Sequence, residues 1–349
     1  MLRALKVRHF RCFDAFEAEF GDGLNFIVGP NARGKTSLLE AACVLLRLQS
    51  PRVTRLASVV QHSRKGLVVD GYFRPGSGST ETGERHLQFY FSKERKKLAL
   101  DSVAQTTAHE YLQIGRVVWF SNADIDLVRS GADLRRRFFD FVCTQRESGY
   151  RTVLREYERA LRSRNLLLKQ SSPRWREIAA FDAPLLETGQ RLIEARQRLI
   201  AELQRPAAEM HSAISETKEH LHLEYDCGAG DDFPAALAGA QANDARLRQT
   251  TVGPHRDDLV FLLNEKPADL GSEGQQRTLV LALKLGAAHL LAAHYDAPPV
   301  LLIDDVFGEL DVRRRNALLA ALPKDAQKII TTTHLDWFGE EHAHQVLRF

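Results

Sequence analysis

The chain has 349 residues, 44% of them hydrophobic, enough for a large core and for two or three domains. Its net charge of +3 neither demands nor forbids a nucleic-acid partner, so the placement of the cations matters more than their sum. Cys12, Cys43, Cys143 and Cys227 are scattered without a C-x-x-C pair, which argues against a disulfide framework or zinc site and for a reducing cytoplasm. Charge is interleaved through Met1–Phe20, so no signal peptide is expected. The most apolar run, Leu279–Ala293, is short and contains Lys284 and His289, so no membrane span is expected either.

Taken in order, the alternating stretches Leu2–Val7 and Phe16–Phe20 predict strands. Leu24–Val28 is a short apolar run between Gly23 and Gly29 and predicts a buried strand. Behind it, Leu38, Leu39, Ala42, Leu45 and Leu46 recur at helical spacing. Gly66–Phe73, Arg85–Ser92 and Arg116–Phe120 are further strands, with Gly76-Ser77-Gly78-Ser79 as a loop. From Asp124 to Glu219 arginine-rich helical patterns take over. Phe138, Phe141 and Val142 share one face, Leu186, Ile193, Ile200 and Leu203 another, and Ser171-Ser172-Pro173 is a break. Strands return at Leu221–Tyr225, Leu259–Leu263, Val300–Ile303 and Lys328–Thr332, with a helix over Gly274–Ala293. The expected architecture is α/β: a nucleotide-binding lobe split into residues 1–120 and 220–349, with a helical lobe inserted at 121–219.

Between the strand at 24–28 and the following helix stands Gly29-Pro30-Asn31-Ala32-Arg33-Gly34-Lys35-Thr36, a Walker A match at every fixed position. Such a loop turns backbone N–H groups toward phosphates, and the helix N-terminus adds partial positive charge. Residues Gly29 to Thr36 with Ser37 are therefore the expected ATP cradle. Lys35 reaches the β- and γ-phosphates and Thr36 ligates Mg²⁺. The alternative is a glycine-rich turn before a core helix. Val300–Asp305 is an apolar strand ending in two carboxylates, as in Walker B: Asp304 for Mg²⁺, Asp305 to polarise the attacking water.

Gly271-Ser272-Glu273-Gly274-Gln275-Gln276 resembles the ABC-type signature motif, in which Ser272, Gly274, Gln275 and the helix-start N–H groups serve the γ-phosphate of the other subunit. The same S-x-G-Q pattern also caps helices. Gly308-Glu309-Leu310-Asp311 resembles the D-loop, and His334 stands either at the switch-histidine position or as an ordinary surface residue. No glutamine is evident for the Q-loop; Asn122 is the nearest candidate.

These segments together resemble the RecF family of bacterial recombination mediators, related to SMC-type ATPase heads, over essentially the whole chain. The residues carrying the resemblance are Leu5–Arg11, the phosphate loop, Ser121–Arg137, Val252-Gly253-Pro254-His255-Arg256-Asp257-Asp258 and Asp304–Asp311. Pro30, Arg33 and Gly308 depart from the family pattern without removing a group that ATP chemistry needs. The resemblance implies an ABC-type P-loop ATPase head, ATP and Mg²⁺ as cofactors, and a homodimer closed by ATP and released by slow hydrolysis. It also implies binding of double-stranded DNA near gapped junctions, cooperation with RecR and RecO in loading RecA, roles in replication and the SOS response, and a nucleoid-associated cytoplasmic location.

DNA binding requires surface cations. Candidates are Arg52, Arg55, Arg64 and Lys65, then Lys93, Arg95, Lys96 and Lys97, and in the helical region Arg129, Arg135–Arg137, Arg162 and Arg164. Of these, Arg52, Arg55, Arg162 and Arg164 are the chosen DNA contacts. Glutamates such as Glu147, Glu156 and Glu158 leave open that these are solvated helix faces. No base-reading element is evident, so binding indifferent to sequence is expected. Two other classes compete. A transporter's ATP subunit has the signature but not the Val252–Asp258 stretch, and a small-molecule P-loop kinase needs neither signature nor D-loop.

Overall fold

The computed structural model describes residues 1–75, 83–172, 174–215, 219–295, 297–338 and 343–349. The expected loop at 76–79 and Pro173 of the expected break lie outside them. The chain divides into two compact units: Met1–Asp124, Ala213–Ser215 and Leu281–Phe349 in unit 1, Ile125–Ser212 and Glu216–Val280 in unit 2.

Unit 1 contains two sheets. Strands β1 (Leu2–Phe10), β2 (Phe13–Glu19), β4 (Gly66–Phe73), β5 (Arg85–Ser92), β6 (Lys96–Leu100) and β7 (Val103–Gln105) form an antiparallel sheet in the order β2-β1-β4-β5-β6-β7. The second sheet is parallel, in the order β14-β3-β13-β12-β8. It uses β3 (Leu24–Val28), β8 (Val117–Ser121), β12 (Val300–Asp304), β13 (Lys328–Thr332) and β14 (Gln345–Arg348). Its central strands are buried along nearly their whole length because both faces are covered, as parallel sheets require. Helix α1 (Lys35–Arg47) touches strands of both sheets. That explains why Leu38 to Arg47 are all buried rather than only the stripe read from the spacing. The short α2 (His109–Gln113) leads into β8.

Unit 2 holds α3 (Asp126–Arg129), α4 (Ala132–Arg146), α5 (Tyr150–Leu168), α6 (Trp175–Ala179) and most of the long α7 (Asp182–Ile214). It also holds a three-stranded sheet, β11-β10-β9, from β9 (Leu221–Asp226), β10 (Asp258–Leu263) and β11 (Lys266–Pro267), with α8 (Phe233–Gly239) and α9 (Gln241–Leu247) between β9 and β10. Residues 219–280 thus pack with the helices, whereas the sequence reading placed them with the phosphate loop. Arg135 on α4 makes a forked ion pair with Asp258 on β10, at 2.6 and 2.8 Å. Gln204 on α7 bonds the backbone of Leu221 and Leu223 at 2.9 and 2.7 Å. Alternation identifies a strand but not the element it packs against.

Helix α10 (Glu273–Tyr295) starts in unit 2 and continues in unit 1. It extends beyond the run read from the sequence and is long and apolar enough to cross a membrane by length and composition. However, 72% of its apolar window is buried in the fold, as in the core helix of a globular protein. Within unit 1, Lys284 anchors it by donating to the Trp119 carbonyl at 3.0 Å and to Asp124 at 2.9 Å. Helix α11 (Val312–Ala321) is capped at its start by the Asp311 carboxylate, which accepts the Arg314 N–H at 2.8 Å.

Candidate ATP-binding site

The phosphate loop leaves β3 at Gly29 and enters α1 at Lys35. Asn31, Ala32 and Arg33 form its exposed crest. Gly34 takes φ of 103°, a left-handed conformation; a Cβ there would lie 2.7 Å from the Phe13 ring and 2.8 Å from Cys12 Sγ. Gly29 is equally constrained, since a Cβ would meet Phe349 at 2.9 Å. The motif glycines are therefore fixed by close packing behind the loop as well as by its turn. Lys35 is buried, and its ammonium donates to the carbonyls of Gly29 and Pro30 at 2.6 and 2.9 Å. Pro30 removes an N–H donor, but its carbonyl helps hold the lysine within the loop.

Walker A and Walker B meet directly. The Thr36 hydroxyl donates to Asp304 Oδ1 at 2.7 Å, and the Thr331 hydroxyl donates to the same oxygen at 2.8 Å. Burial pushes the Asp304 carboxyl above its ordinary pKa, against the pull of those two hydroxyls and of the Arg52 and Lys35 charges. A hydroxyl and a carboxylate that already touch are hard oxygen donors of the kind Mg²⁺ takes. Thr331 was not anticipated; the only signal for it was the Thr-Thr-Thr run at the end of β13.

Asp305 has φ of 55°, a strained conformation for a residue with a side chain. Its backbone is held on both sides: its N–H donates to Thr331 Oγ1 at 3.0 Å and its carbonyl accepts the Asn122 amide at 3.0 Å. Asn122, considered for the Q-loop, thus braces Asp305. The Asp305 carboxyl is also raised, first by burial; Lys35 and His334 oppose the shift, and Asp304 and Glu309 add to it. His334 is exposed, and its ring shares a hydrogen bond with Thr333 at 2.8 Å. Ser37 lies half-buried in the first turn of α1.

The signature segment lies in unit 2 and is a reciprocal helix cap. Gln275 Oε1 accepts the Ser272 N–H at 2.7 Å, and the Gln275 N–H reaches Ser272 Oγ at 3.3 Å. Ser272 is exposed and Gly274 half-buried. Next to them, Gln276 is buried. It accepts from Arg129 at 2.6 Å and donates to the carbonyls of Asp269 and Gly271 at 2.8 and 2.9 Å.

The arginines chosen for DNA divide sharply. Arg164 is 1% exposed and bonds Asp182, Asp244 and Thr250 at 2.9, 2.6 and 2.9 Å, so its assignment as a DNA contact is corrected: it is a core ion pair. Arg162, two residues earlier, is exposed and loosely paired with Glu158 at 3.4 Å. Arg55 is exposed. Arg52 lies 3.4 Å from Glu40, a fully buried carboxylate that Arg11 grips at 2.8 and 2.9 Å. Arg129, Arg135 and Arg136 are tied to groups of unit 2. Lys65, Lys93, Arg95 and Lys97 are exposed and form no ion pair among the described residues.

The Val252–Asp258 stretch is also structural in its contacts. His255 bonds the Tyr157 hydroxyl at 2.6 Å and the Thr250 carbonyl at 2.9 Å, and burial lowers its pKa to about 4. Asp257 accepts from Arg196 at 2.7 Å, from the Gly228 N–H at 2.9 Å and from the Tyr225 hydroxyl.

Comparison with known proteins agrees with this geometry. The family model described as the RecF/RecN/SMC N-terminal domain matches residues 1–347. The chain is 36% identical to the DNA replication and repair protein RecF of Nostoc punctiforme over 358 residues, covering 97% of this chain and 94% of that protein. It is equally 36% identical to the RecF of Symbiobacterium thermophilum over 349 residues, covering 96% and 92%. The solved ATP complex of the recombination mediator RecF of the RecFOR pathway is 28% identical, with a TM-score of 0.85 over 96% of this chain and 92% of that one. An SMC head bound to a winged-helix domain of ScpA, at 14% identity and a TM-score of 0.55, shares the fold. With an ABC-type, SMC-like ATPase head and this similarity along its whole length, the chain belongs to the RecF family.

Proposed function

We propose that the chain is an ATP-driven DNA-binding switch of replication and repair. The observation that carries this reading is the contact of Thr36 with Asp304 beside Lys35 and Asp305. It brings a hydroxyl, two carboxylates and an ammonium group to the mouth of one phosphate loop. Thr36 and Asp304 would hold Mg²⁺, which supplies neutralisation of phosphate charge. Lys35 releases the loop carbonyls and binds the β- and γ-phosphates. Asp305 orients and polarises the attacking water, and its position as Asp rather than the longer Glu suits slow turnover. Ser272, Gly274 and Gln275 serve the γ-phosphate bound by a second copy, so ATP closes a homodimer and hydrolysis opens it.

DNA binding comes to this reading from the relatives, among them the DNA replication and repair protein RecF of Nostoc punctiforme. The exposed cations Arg55, Lys65, Lys93, Arg95, Lys97 and Arg162 suit a duplex phosphate backbone rather than bases. Preference for gapped junctions, stimulation of hydrolysis by DNA, and cooperation with RecR and RecO in loading RecA belong to the same proposal, with a cytoplasmic, nucleoid-associated location. Sedimentation with ATP and Mg²⁺, with and without duplex DNA, tests it. The expected result is a doubling of mass with ATP and co-sedimentation of DNA only in that state. A mass indifferent to ATP, with no DNA bound, would overturn it.

A further inference from the structure

We infer that Glu219 is a positioning residue for the signature segment, acting through the side-chain amide of Gln275; this rests on the reading above that Ser272 serves a γ-phosphate. Glu219 is buried at 8% exposure, and its Oε1 accepts a hydrogen bond from Gln275 Nε2. A glutamine amide has a donor end and an acceptor end of nearly the same shape, so a half-buried amide needs something to fix which end points where. A carboxylate only accepts. Glu219 therefore turns Nε2 toward itself and leaves Oε1 facing the Ser272 N–H, where it sits at 2.7 Å.

Flipped, the amide would set its NH₂ group against the Ser272 N–H, two donors facing each other. The cap would open, and Ser272 would lose its fixed backbone direction. In the observed arrangement Ser272 Oγ accepts from the Gln275 N–H at 3.3 Å, so the hydroxyl hydrogen is left to donate outward.

The neighbouring anchor does a different job. Gln276 holds the carbonyls of Asp269 and Gly271, which fixes where the loop lies but not the direction of Ser272. Glu219 in turn has Oε2 3.7 Å from His211 Nε2 in the last turn of α7. His211 is fully buried, and neither of its ring nitrogens has a hydrogen-bond partner among the described residues. His211, Glu219, Gln275 and Ser272 thus form one chain of contacts inside unit 2.

The test uses the full chain with Glu219→Ala and Glu219→Gln, beside Ser272→Arg and Lys35→Ala as references. Glu219→Ala should bind ATP with wild-type affinity yet hydrolyse it about tenfold more slowly, the effect of losing one charge-assisted hydrogen bond. Mixed one to one with Lys35→Ala, which keeps an intact signature, it should recover activity as Ser272→Arg does. Glu219→Gln can still accept from Gln275 and should stay within about threefold of wild type. Hydrogen exchange supplies a readout independent of the dimer: the backbone of 271–276 should lose protection in Glu219→Ala while that of α1 does not. Unchanged exchange there, hydrolysis by Glu219→Ala at the wild-type rate, or equal defects in the Ala and Gln variants would each overturn the inference. If Ser272→Arg itself hydrolyses ATP normally, the composite-site reading falls and the inference falls with it. If Ser272→Arg is inactive and Glu219→Ala is not, only the role of Glu219 fails.

Discussion

The carboxylates of the proposed ATP site in unit 1 and those of the unit 2 framework are paired in opposite ways. The site carboxylates are left incomplete, whereas Glu40 of the same unit, away from the phosphates, is gripped by Arg11. Asp304 has both hydroxyl donors on Oδ1, and among the described residues no donor reaches its Oδ2 or the carboxylate of Asp305. In unit 2 the buried carboxylates are saturated. Asp257 is bonded by Arg196, Gly228 and Tyr225, and Asp244 by Arg164 and Thr251, while the half-buried Asp258 is gripped by Arg135. A buried charge must find a partner, and where the fold withholds one a ligand supplies it. Incomplete pairing is therefore what the proposed ATP site shows, and complete pairing what the framework shows.

The largest effects should come from the incomplete groups. Lys35→Ala should abolish productive ATP binding, because Arg33, the loop's other cation, stands on its exposed crest and does not replace the buried ammonium; direct titration of nucleotide checks this, and unchanged affinity would remove Lys35 from the site. Asp305→Asn should keep ATP bound while slowing hydrolysis by ~10²–10⁴-fold. Normal turnover in that variant would place the base elsewhere.

Next in size is the framework itself. Arg164→Ala leaves the fully buried charge of Asp244 with no ion-pair partner among the described residues, only the neutral donors of Thr251, and should cost about 3–5 kcal/mol of stability. Denaturant unfolding measures it, and a loss below about 1 kcal/mol would show that Asp244 finds another partner.

His255 makes the same comparison titratable. Burial holds its pKa near 4 in the fold against an ordinary 6.5, so the folded state keeps the ring neutral. The stability that depends on the neutral ring is fully present above pH 6.5 and is lost as pH falls from 6.5 toward 4. Over that window the loss amounts to about 3 kcal/mol. Buried Asp257, whose pKa is raised, changes stability in the opposite direction, so the measurement is the difference between wild type and His255→Gln. Identical pH profiles would show that His255 is not held neutral.

This division also accounts for what the sequence made legible. Walker A and Walker B are contiguous because a loop and a strand end must present several groups within a few residues, so both motifs are plain in the sequence, and the structure brings their Thr36 and Asp304 into contact. The strands β3, β12 and β13, buried along nearly their whole length, were equally plain. The framework was not legible because its partners are distant in the chain. Arg164 and Asp244 are 80 residues apart, and Arg196 and Asp257 are 61 apart. Nothing local separates Arg164 from Arg162. Nor does alternation in β9 and β10 tell which unit they join. The four-residue β14 pairs with β3 at the edge of the parallel sheet and leaves little pattern to read.

Arg162 offers the smallest effect and the sharpest contrast. It stands on the same helix as Arg164, but its guanidinium is 68% exposed and its only ion pair among the described residues, with Glu158 four residues away, is the kind that contributes little in water. Arg162→Ala should therefore shift stability by no more than about 0.5 kcal/mol. If unit 2 offers this face to duplex DNA, the same substitution should reduce the slope of log affinity against log salt by about 0.9 while leaving ATP binding unchanged. Arg55→Ala makes the matching test in unit 1, free of the Glu40 contact that complicates Arg52. An unchanged slope in both variants would move the DNA surface to other cations, with Lys93, Arg95 and Lys97 next. A stability loss at Arg162 as large as that at Arg164 would break the distinction between exposed and framework arginines on which the comparison rests.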